Sequence, residues 1–197
     1  MGTMERKARL REEVRFKILD AAWTIARKEG WHALSMRRIA EAIDYTAPII
    51  YGYFENKEAI LKEFSRQGFE LLTREVRAAR DRFTEPALQL EAMWLAYWDF
   101  AFEHQAYYQL MFGVEVDCCG AVEADETAPS LINERIQALI ALSGDPGADP
   151  CRKFYTFWAV VHGLISLNIV RKGTLSADWN RSILRDAIVA IIADTQA

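Results

Sequence analysis

Residues 34–61 read LSMRRIAEAIDYTAPIIYGYFENKEAIL, and this stretch decides the fold. Ser35 is a favourable N-cap for a short helix with apolar side chains on one face, and Thr46 can cap a second short helix. Asp44 lies in the turn between them, at a position that usually requires a positive φ angle, which Asp tolerates better than most residues. Asn56 can then cap a longer helix. Two short helices joined by a tight turn form a helix-turn-helix, whose second helix can enter the major groove of B-DNA.

Helical periodicity extends over almost the whole chain, and no segment alternates as a strand does. Apolar residues from Val14 to Ala26 predict a first helix that Gly30 ends. Further helices are expected at residues 56–83, 85–104, 105–112, 130–142, 150–171 and 176–194. Loops are expected at 113–128 and 143–150, where acidic, Gly or Pro residues gather. The predicted fold class is therefore all-α, with about nine helices.

Charge is unevenly distributed along the chain. The whole sequence carries a formal net charge of −4, which at first argues against DNA binding. Residues 1–57 contain 11 Lys and Arg against 8 Asp and Glu, whereas residues 58–197 contain 13 against 20. The first segment is therefore +3 and the second −7. This asymmetry predicts a basic DNA-binding head, residues 1–57, followed by a ligand-binding and dimerisation domain, residues 58–197.

Composition and targeting signals favour a cytoplasmic protein. The cysteines are Cys118, Cys119 and Cys151, an odd number with two adjacent, which is not a disulfide framework. The N-terminus has no apolar run behind its charges, so we expect no secretory signal. The uncharged stretch 154–170 is shorter than the ~20 residues of a membrane span and contains polar residues. It predicts a helix buried in protein, and no membrane partner.

The second short helix of the helix-turn-helix suits a DNA groove. It carries no charge, while Arg37, Arg38 and Lys57 flank it. Cations of this kind position a duplex through its phosphates, and the uncharged helix reads base edges. Basic residues at 6–11 form either an arm that reaches DNA or a solvated tail.

The same stretch resembles the DNA-binding domain of TetR-family transcriptional regulators. The resemblance lies in Ile39-Ala40, Tyr51, Tyr53-Phe54, Asn56-Lys57-Glu58 and Leu61. The departures from the family pattern are Asp44, Tyr45, Thr46 and Pro48. The resemblance implies DNA contacts by Ser35, Arg37, Arg38, Thr46, Ala47, Pro48, Tyr51, Tyr53 and Lys57. It implies packing roles for Ile39, Ala40, Ile43, Ile50, Phe54 and Leu61.

The aromatic residues of this stretch have an alternative role, because Tyr51, Tyr53 and Phe54 could all be core residues. For Phe54 we adopt that interpretation. For the two tyrosines, the polar hydroxyl groups beside Lys57 favour a phosphate-binding rim instead.

The C-terminal part carries a second resemblance. Residues 158–163, Trp-Ala-Val-Val-His-Gly, are similar to the Trp-x-x-x-His-Gly signature of one group of TetR-family ligand-binding and dimerisation domains. Apolar residues surround most of the helix at 150–171 and form a stripe along 176–194. Pairing these two helices with those of a second copy would bury them in a four-helix bundle. We therefore expect a homodimer through the last two helices.

Aromatic residues are concentrated between positions 94 and 112. Core packing explains most of them, but a core seldom needs so many indole and phenol groups that require hydrogen-bond partners. A pocket lined by aromatic and a few polar groups is a common small-molecule site. We expect the lining residues to be Trp94, Trp98, Tyr108, Met111, Phe112, Trp158 and His162. The effector would be apolar or aromatic. For His162 taken alone, the favoured interpretation is a buried histidine that fixes helix packing, and a ligand contact is the alternative.

Other chemistry has weaker support. Asp117, Cys118 and Cys119 lie in an acidic segment, but adjacent cysteines lack the spacing of zinc sites, so no metal and no cofactor is expected. A redox role of the two cysteines stays open. No phosphate loop, nucleophile elbow or metalloprotease motif occurs, so we expect no enzyme.

The sequence as a whole predicts a transcriptional repressor. It would bind a double-stranded DNA operator as a dimer and release it when the effector binds. One alternative is an all-α small-molecule-binding or scaffold dimer without DNA-binding activity. Another is an enzyme for an apolar substrate, which requires a catalytic pair that the motifs do not reveal.

Overall fold

The structure is a computed structural model that describes residues 3–113, 127–143, 147–171 and 176–196. All regular structure over these residues is helical, which confirms the predicted fold class. The helices are α1 (Thr3–Glu29), α2 (Met36–Ala42), α3 (Ala47–Tyr51), α4 (Lys57–Arg80), α5 (Pro86–Glu103), α6 (Gln105–Phe112), α7 (Ala128–Ser143), α8 (Pro150–Arg171) and α9 (Ala177–Gln196). A short 3₁₀ turn, Trp31–Ala33, follows α1.

The helix bounds agree with the expected ones to within a few residues. Both α6 and α8 have the predicted limits, whereas α4 ends at Arg80 rather than near residue 83. Because α1 already begins at Thr3, the basic residues at 6–11 belong to a helix and not to an irregular arm. The expected acidic loop, with Asp117, Cys118 and Cys119, lies outside the described residues at 114–126.

The described residues form two compact units, of which the first holds residues 3–67 and 106–113. Its core is apolar and contains fully buried isoleucines from α1, α2, α3 and α4: Ile18, Ile39, Ile50 and Ile60. The first turns of α4 and the short helix α6 pack with the helix-turn-helix, since Phe64 and Leu110 are buried in the same core. This unit therefore includes more than the predicted head, whose functional boundary at residue 57 stays a prediction.

Aromatic contacts hold α6 within the first unit. Trp23 stacks on Tyr107 with ring centroids 4.5 Å apart. The indole N–H of Trp31 donates a hydrogen bond to the carbonyl oxygen of Ala106 at 2.7 Å. The hydroxyl of Tyr107 donates to Oε1 of Gln67 at 3.3 Å. The indole N–H of Trp31 and the hydroxyl of Tyr107 are thus hydrogen-bonded, and the rings of Trp23 and Tyr107 are packed together.

The second unit contains residues 68–105 and the helices from α7 onward. Within it α5 packs against α7, α8 and α9, and α7 also packs against both of the last helices. The apolar stripe predicted along α9 is partly buried in the unit and partly exposed to solvent. Leu184 and Ile188 are fully buried against the rest of the unit, whereas Ile183 and Val189 are 40% and 47% exposed.

Among the described helices, none combines the length and the apolar character that crossing a membrane requires. Helix α8, which contains the uncharged stretch, packs into the second unit through Phe157, Val161 and Ile165. Each of these three side chains is fully buried. The same helix leaves Tyr155 and Leu167 exposed.

Candidate functional site

The turn between α2 and α3 has the geometry expected from Asp44. Among the described residues, Asp44 is the one non-glycine residue with a positive φ, at 57°. Its N–H donates to the carbonyl oxygen of Glu41 at 3.4 Å, and the N–H of Tyr45 donates to that of Ala40 at 2.9 Å. This pair of bonds is a Schellman motif, which closes the C-terminus of α2. The direction from α2 into α3 is therefore fixed without a glycine.

Side-chain caps fix the helices on either side of this turn. Oγ of Ser35 accepts a hydrogen bond from the N–H of Arg38 at 3.2 Å, and Oδ1 of Asn56 accepts one from the N–H of Ala59 at 2.8 Å. Two of the three predicted caps, Ser35 and Asn56, are thus confirmed. Thr46 occupies the N-cap position of α3, but its side chain makes no capping hydrogen bond. Its hydroxyl is consequently not committed to the helix terminus.

Helix α3 turns one side into the core and the other outward. Ile50 is fully buried, and Ala47 packs against the same core. The outward residues are Thr46, Pro48, Ile49 and Tyr51. Ile49 was not among the predicted site residues, although it is 43% exposed. The sequence assigned Ile49 no role, and the burial of Ile50 on the other side of the helix shows that Ile49 points away from the core.

The flanking cations Arg37 and Arg38 differ in the hydrogen bonds that they make within the protein. Arg37 is highly exposed and pairs through Nε with Oε1 of Glu41 at 2.8 Å. Arg38 donates to Oε1 of Glu29 at 2.6 Å and to the carbonyl oxygen of Ala33 at 3.0 Å. The hydrogen bond from Arg38 lowers the pKa of Glu29. Because exposed ion pairs contribute little stability, a phosphate can replace Glu41 as the partner of Arg37 more easily than it can recruit Arg38.

The three aromatic residues of the motif have three different surroundings. Phe54 is buried, as expected, and the guanidinium of Arg15 lies 5.4 Å from its ring centroid. Tyr53 packs partly against the core, with the guanidinium of Arg11 at 5.7 Å from its ring. Tyr51 is 55% exposed, so it is not a core residue. Lys57 begins α4 and is half-buried.

In the second unit, the predicted pocket residue His162 lies between two aromatic side chains. The hydroxyl oxygen of Tyr97 is 2.5 Å from Nε2 of His162, and the Trp158 and His162 ring centroids are 4.4 Å apart. Burial lowers the pKa of His162 to about 4, so the imidazole is neutral near pH 7. Tyr97 was not among the predicted pocket residues. Its partner is 65 positions away, and no local pattern connects the two.

Trp94 is the second unusual group of this unit. Its side chain is fully buried, and its indole nitrogen has no hydrogen-bond partner among the described residues. The ring stacks on Phe157 with centroids 5.6 Å apart. A buried donor without a partner costs about 1–3 kcal/mol. An acceptor group on a ligand would recover that free energy.

The seven predicted pocket residues are divided between the two units. Trp94, Trp98, Trp158 and His162 belong to the second unit, while Tyr108, Met111 and Phe112 belong to α6 in the first. Burial raises the pKa of Tyr108. Their assembly into a single pocket stays a prediction.

An open cleft of about 910 Å³ lies on the second unit, and none of the seven predicted residues lines it. Its floor contains Ala92, Leu95 and Ala96 of α5. Arg185 pairs with Glu91 across it at 2.7 Å. In the part of the chain that the structure describes, the cleft included, no group of three or more His, Cys, Asp or Glu side chains could hold a metal ion.

The fold and the turn geometry define a helix-turn-helix protein with a separate helical body, and known proteins supply its family. Residues 18–64 match the bacterial regulatory proteins of the tetR family. Residues 90–189, about half of the chain, match the tetracyclin repressor-like, C-terminal domain. The chain belongs to the TetR family.

Individual relatives agree with this assignment. A stretch of 71 residues is 34% identical to the HTH-type transcriptional repressor KstR of Rhodococcus jostii strain RHA1, covering 34% of each protein. The chain thus spans about a third of the length of this curated relative. Among solved structures, a protein of unknown function from Rhodococcus sp. RHA1 superposes with a TM-score of 0.73 at 21% identity, over 89% of this chain and 93% of the other.

A second solved structure is a TetR family transcriptional regulator, PfmR, from Thermus thermophilus. Its TM-score is 0.66 at 15% identity, over 89% of this chain and 97% of that one. At such identities the structural likeness shows the fold alone. The roles of individual residues therefore depend on the geometry of this chain.

Proposed function

We propose that the protein is a cytoplasmic, homodimeric transcriptional repressor that binds a double-stranded DNA operator and releases it when an apolar or aromatic small molecule binds. The observation that carries the proposal is the exposed side of α3. That side is uncharged. The buried Ile50 on the opposite side fixes the rotation of the helix, and Asp44 with its positive φ forms the turn that precedes it. A rigid, uncharged helix between cations suits base reading in the major groove.

Contacts to the phosphates would come from residues beside α3. Tyr51 is exposed, and Lys57 stands in the first turn of α4, where backbone N–H groups can also receive a phosphate. Arg37 offers an exposed guanidinium whose present partner is also exposed. Tyr53, Ser35 and Arg38 already have structural contacts in the protein and would contribute less.

Dimerisation would use the outward sides of α8 and α9. These two helices leave apolar side chains in contact with solvent: Tyr155, Val160, Leu167, Trp179, Ile183 and Val189. Monomeric proteins seldom expose so many large apolar groups on neighbouring helices. Burying them against the same helices of a second copy would give a symmetric contact and would place two heads on one operator.

The effector site would include the buried aromatic groups of the second unit. The unpaired indole N–H of Trp94 supports a ligand that carries a hydrogen-bond acceptor, while Trp98 and Trp158 offer apolar rings. The neutral imidazole of His162 adds no charge to the site, in keeping with an uncharged ligand. The Trp158, His162 and Gly163 pattern also supports placing this domain in the Trp-His-Gly group. By linkage, DNA must weaken effector binding by the factor by which the effector weakens DNA binding.

The DNA part of the proposal is tested with three single variants and DNA from upstream of the protein's own gene. Tyr51→Ala and Lys57→Ala each remove one phosphate contact per subunit, so we expect each to lower affinity tenfold or more at constant salt, since charge-assisted hydrogen bonds contribute about 1.5–3 kcal/mol. Arg74→Ala is the matched control, because it removes an exposed cation from a later turn of α4. Fluorescence anisotropy measures all four dissociation constants.

The control should bind as the unchanged protein does. Specific binding that none of the three variants alters would contradict the assignment of α3 and the start of α4 to DNA. Complete absence of specific binding at low salt would favour the alternative of a ligand-binding or scaffold dimer instead. An enzyme would be indicated only by turnover of a bound ligand.

A further inference from the structure

The outward side of α3 has an unusual set of chemical groups for a helix that reads bases. Helix α3 consists of Ala47, Pro48, Ile49, Ile50 and Tyr51 and is preceded by Thr46, and its outward residues are Thr46, Pro48, Ile49 and Tyr51. None is Arg, Lys, Asn, Gln, Asp or Glu. The two-pronged hydrogen bonds that identify guanine or adenine require Arg or Lys, or Asn or Gln, respectively. This helix therefore lacks the side chains for two-pronged readout of purines, and only the hydroxyls of Thr46 and Tyr51 could make single hydrogen bonds to base edges.

What α3 offers in their place is an apolar surface. Ile49 is 43% exposed, and its neighbour Pro48 is exposed as well. The burial of Ile50 fixes the rotation of the helix, and the N–H of Ile49 donates to the carbonyl oxygen of Thr46 at 3.0 Å. The side chain of Ile49 consequently has a fixed outward direction. A single exposed isoleucine is ordinary on a protein surface, so the argument depends on the whole face and not on this exposure.

The major groove presents one apolar group that can match this surface. Thymine carries a C5-methyl group at its groove edge, whereas adenine, guanine and cytosine present hydrogen-bonding groups there. We infer that Ile49, with Pro48 beside it, reads thymine methyl groups, so that each half-site of the operator carries T·A pairs opposite α3. This inference rests on the proposed DNA-binding function and adds the chemistry by which the sequence is selected.

Deoxyuridine tests the inference, because it differs from thymidine only by lacking the methyl group and keeps the same base pairing. The protected DNA is first located by footprinting, and each thymidine of a half-site is then replaced in turn. At one or two positions in each half-site we expect about a fourfold loss of affinity per methyl group, the value for one buried methyl-sized group. Substitutions elsewhere in the protected DNA should have no effect and serve as the DNA control.

Two protein variants connect the effect to Ile49. Ile49→Ala should bind the thymidine and deoxyuridine operators equally, whereas Ile49→Val should keep part of the discrimination. Both changes affect an exposed side chain, and thermal unfolding confirms that the variants are folded. Tyr51→Phe retains the ring beside Ile49 and should keep the full thymidine preference even where it weakens binding overall.

The outcomes separate the inference from the function on which it rests. Specific DNA binding without any deoxyuridine effect, or with an effect that persists in Ile49→Ala, would overturn the thymine assignment and leave the regulator intact. A lack of specific DNA binding would overturn both. Loss of discrimination in Ile49→Ala, with overall folding unchanged, is the result that the inference predicts.

Discussion

The two compact units differ in the hydrogen bonding of their partly or fully buried aromatic side chains. In the first unit, the indole of Trp31 and the hydroxyl of Tyr107 both have partners within the protein, at 2.7 and 3.3 Å. In the second unit, the indole of Trp94 is fully buried without a partner among the described residues, and His162 is held in its neutral form. The two aromatic donors of the first unit are therefore paired, although Oγ of Ser65 in that unit is buried without a partner among the described residues, whereas the indole N–H of Trp94 in the second unit is an unpaired aromatic donor.

This difference matches two kinds of task. A surface that reads DNA needs a fixed shape, and paired polar groups help to specify one packing arrangement. A ligand site benefits from polar groups that are positioned in advance and unpaired, since the ligand supplies the missing partner. The pairing of these aromatic donors is in keeping with the proposed division of the chain into a DNA-binding head and a ligand-binding domain.

The largest effect should come from protonation of His162. The imidazole has a pKa of about 4 in the folded protein against about 6.5 in the unfolded chain, so only the unfolded state binds a proton between these values. The free energy of unfolding should therefore decrease as the pH falls from 6.5 to 4, by on the order of 3 kcal/mol, and be independent of this group above 6.5. Urea unfolding at a series of pH values measures it.

Two histidine variants test whether this pH dependence comes from His162. His162→Gln keeps an acceptor for Tyr97 but does not titrate, so the decrease between pH 6.5 and 4 should become smaller. His32→Gln changes an exposed histidine and is the matched control. An unchanged pH profile in His162→Gln would show that the body does not hold a neutral histidine at this position.

A smaller effect compares the two indole groups directly. Replacing tryptophan by benzothienylalanine exchanges the indole N–H for sulfur with little change of shape. At Trp31 the change removes a hydrogen bond and should lower the free energy of unfolding by about 1 kcal/mol. At Trp94 it removes a donor that has no partner, so stability should be unchanged or higher. Equal losses of unfolding free energy at Trp31 and Trp94 would show that the two indole N–H groups do not differ in hydrogen bonding.

An effect of similar size concerns the association of two subunits through α8. A Cβ atom at Gly163 would have no described heavy atom of this chain within 4 Å, apart from its chain neighbours and the backbone of its own helix, so Gly163→Ala fits the isolated subunit. Removing a glycine from a helix interior should stabilise that subunit by about 0.5–1 kcal/mol. If α8 packs closely against its copy, the added methyl group should weaken the dimer by about 1 kcal/mol, roughly fivefold in its dissociation constant.

Sedimentation equilibrium measures this dissociation constant. Leu142→Ala, a change of a 70% exposed side chain on α7, is the control and should leave it unaltered. A Gly163→Ala dimer as tight as the original would mean that the subunits do not approach each other at this glycine.

The sequence was most informative where the determinants are local. Ser35 and Asn56 each accept a hydrogen bond from the N–H three residues further along the chain, and the turn at Asp44 is closed by backbone hydrogen bonds within residues 40–45. These roles depend on the residue type at a fixed spacing, which a sequence shows directly. The helix-turn-helix and most helix bounds were predictable for this reason.

Contacts between distant positions were not predictable in the same way. The pairs Tyr97 with His162 and Trp31 with Ala106 are separated by 65 and 75 residues, and neither has a signal in the periodicity of its helix. Exposure on a very short helix is also hard to predict, because one turn of α3 places Ile49 outward and Ile50 inward although the two side chains are identical. Burial of such residues is decided by tertiary packing.

Footprinting of the purified protein on DNA from upstream of its own gene tests the central claim most directly. With hydroxyl radicals at low salt, we predict two protected patches related by a two-fold axis, with centres about one helical turn apart. Tyr51→Ala should require at least tenfold more protein to protect both patches, and Arg74→Ala should protect them at the same concentration as the unchanged protein. Uniform cleavage along the DNA at every protein concentration, from a protein that is folded and dimeric, would contradict the account.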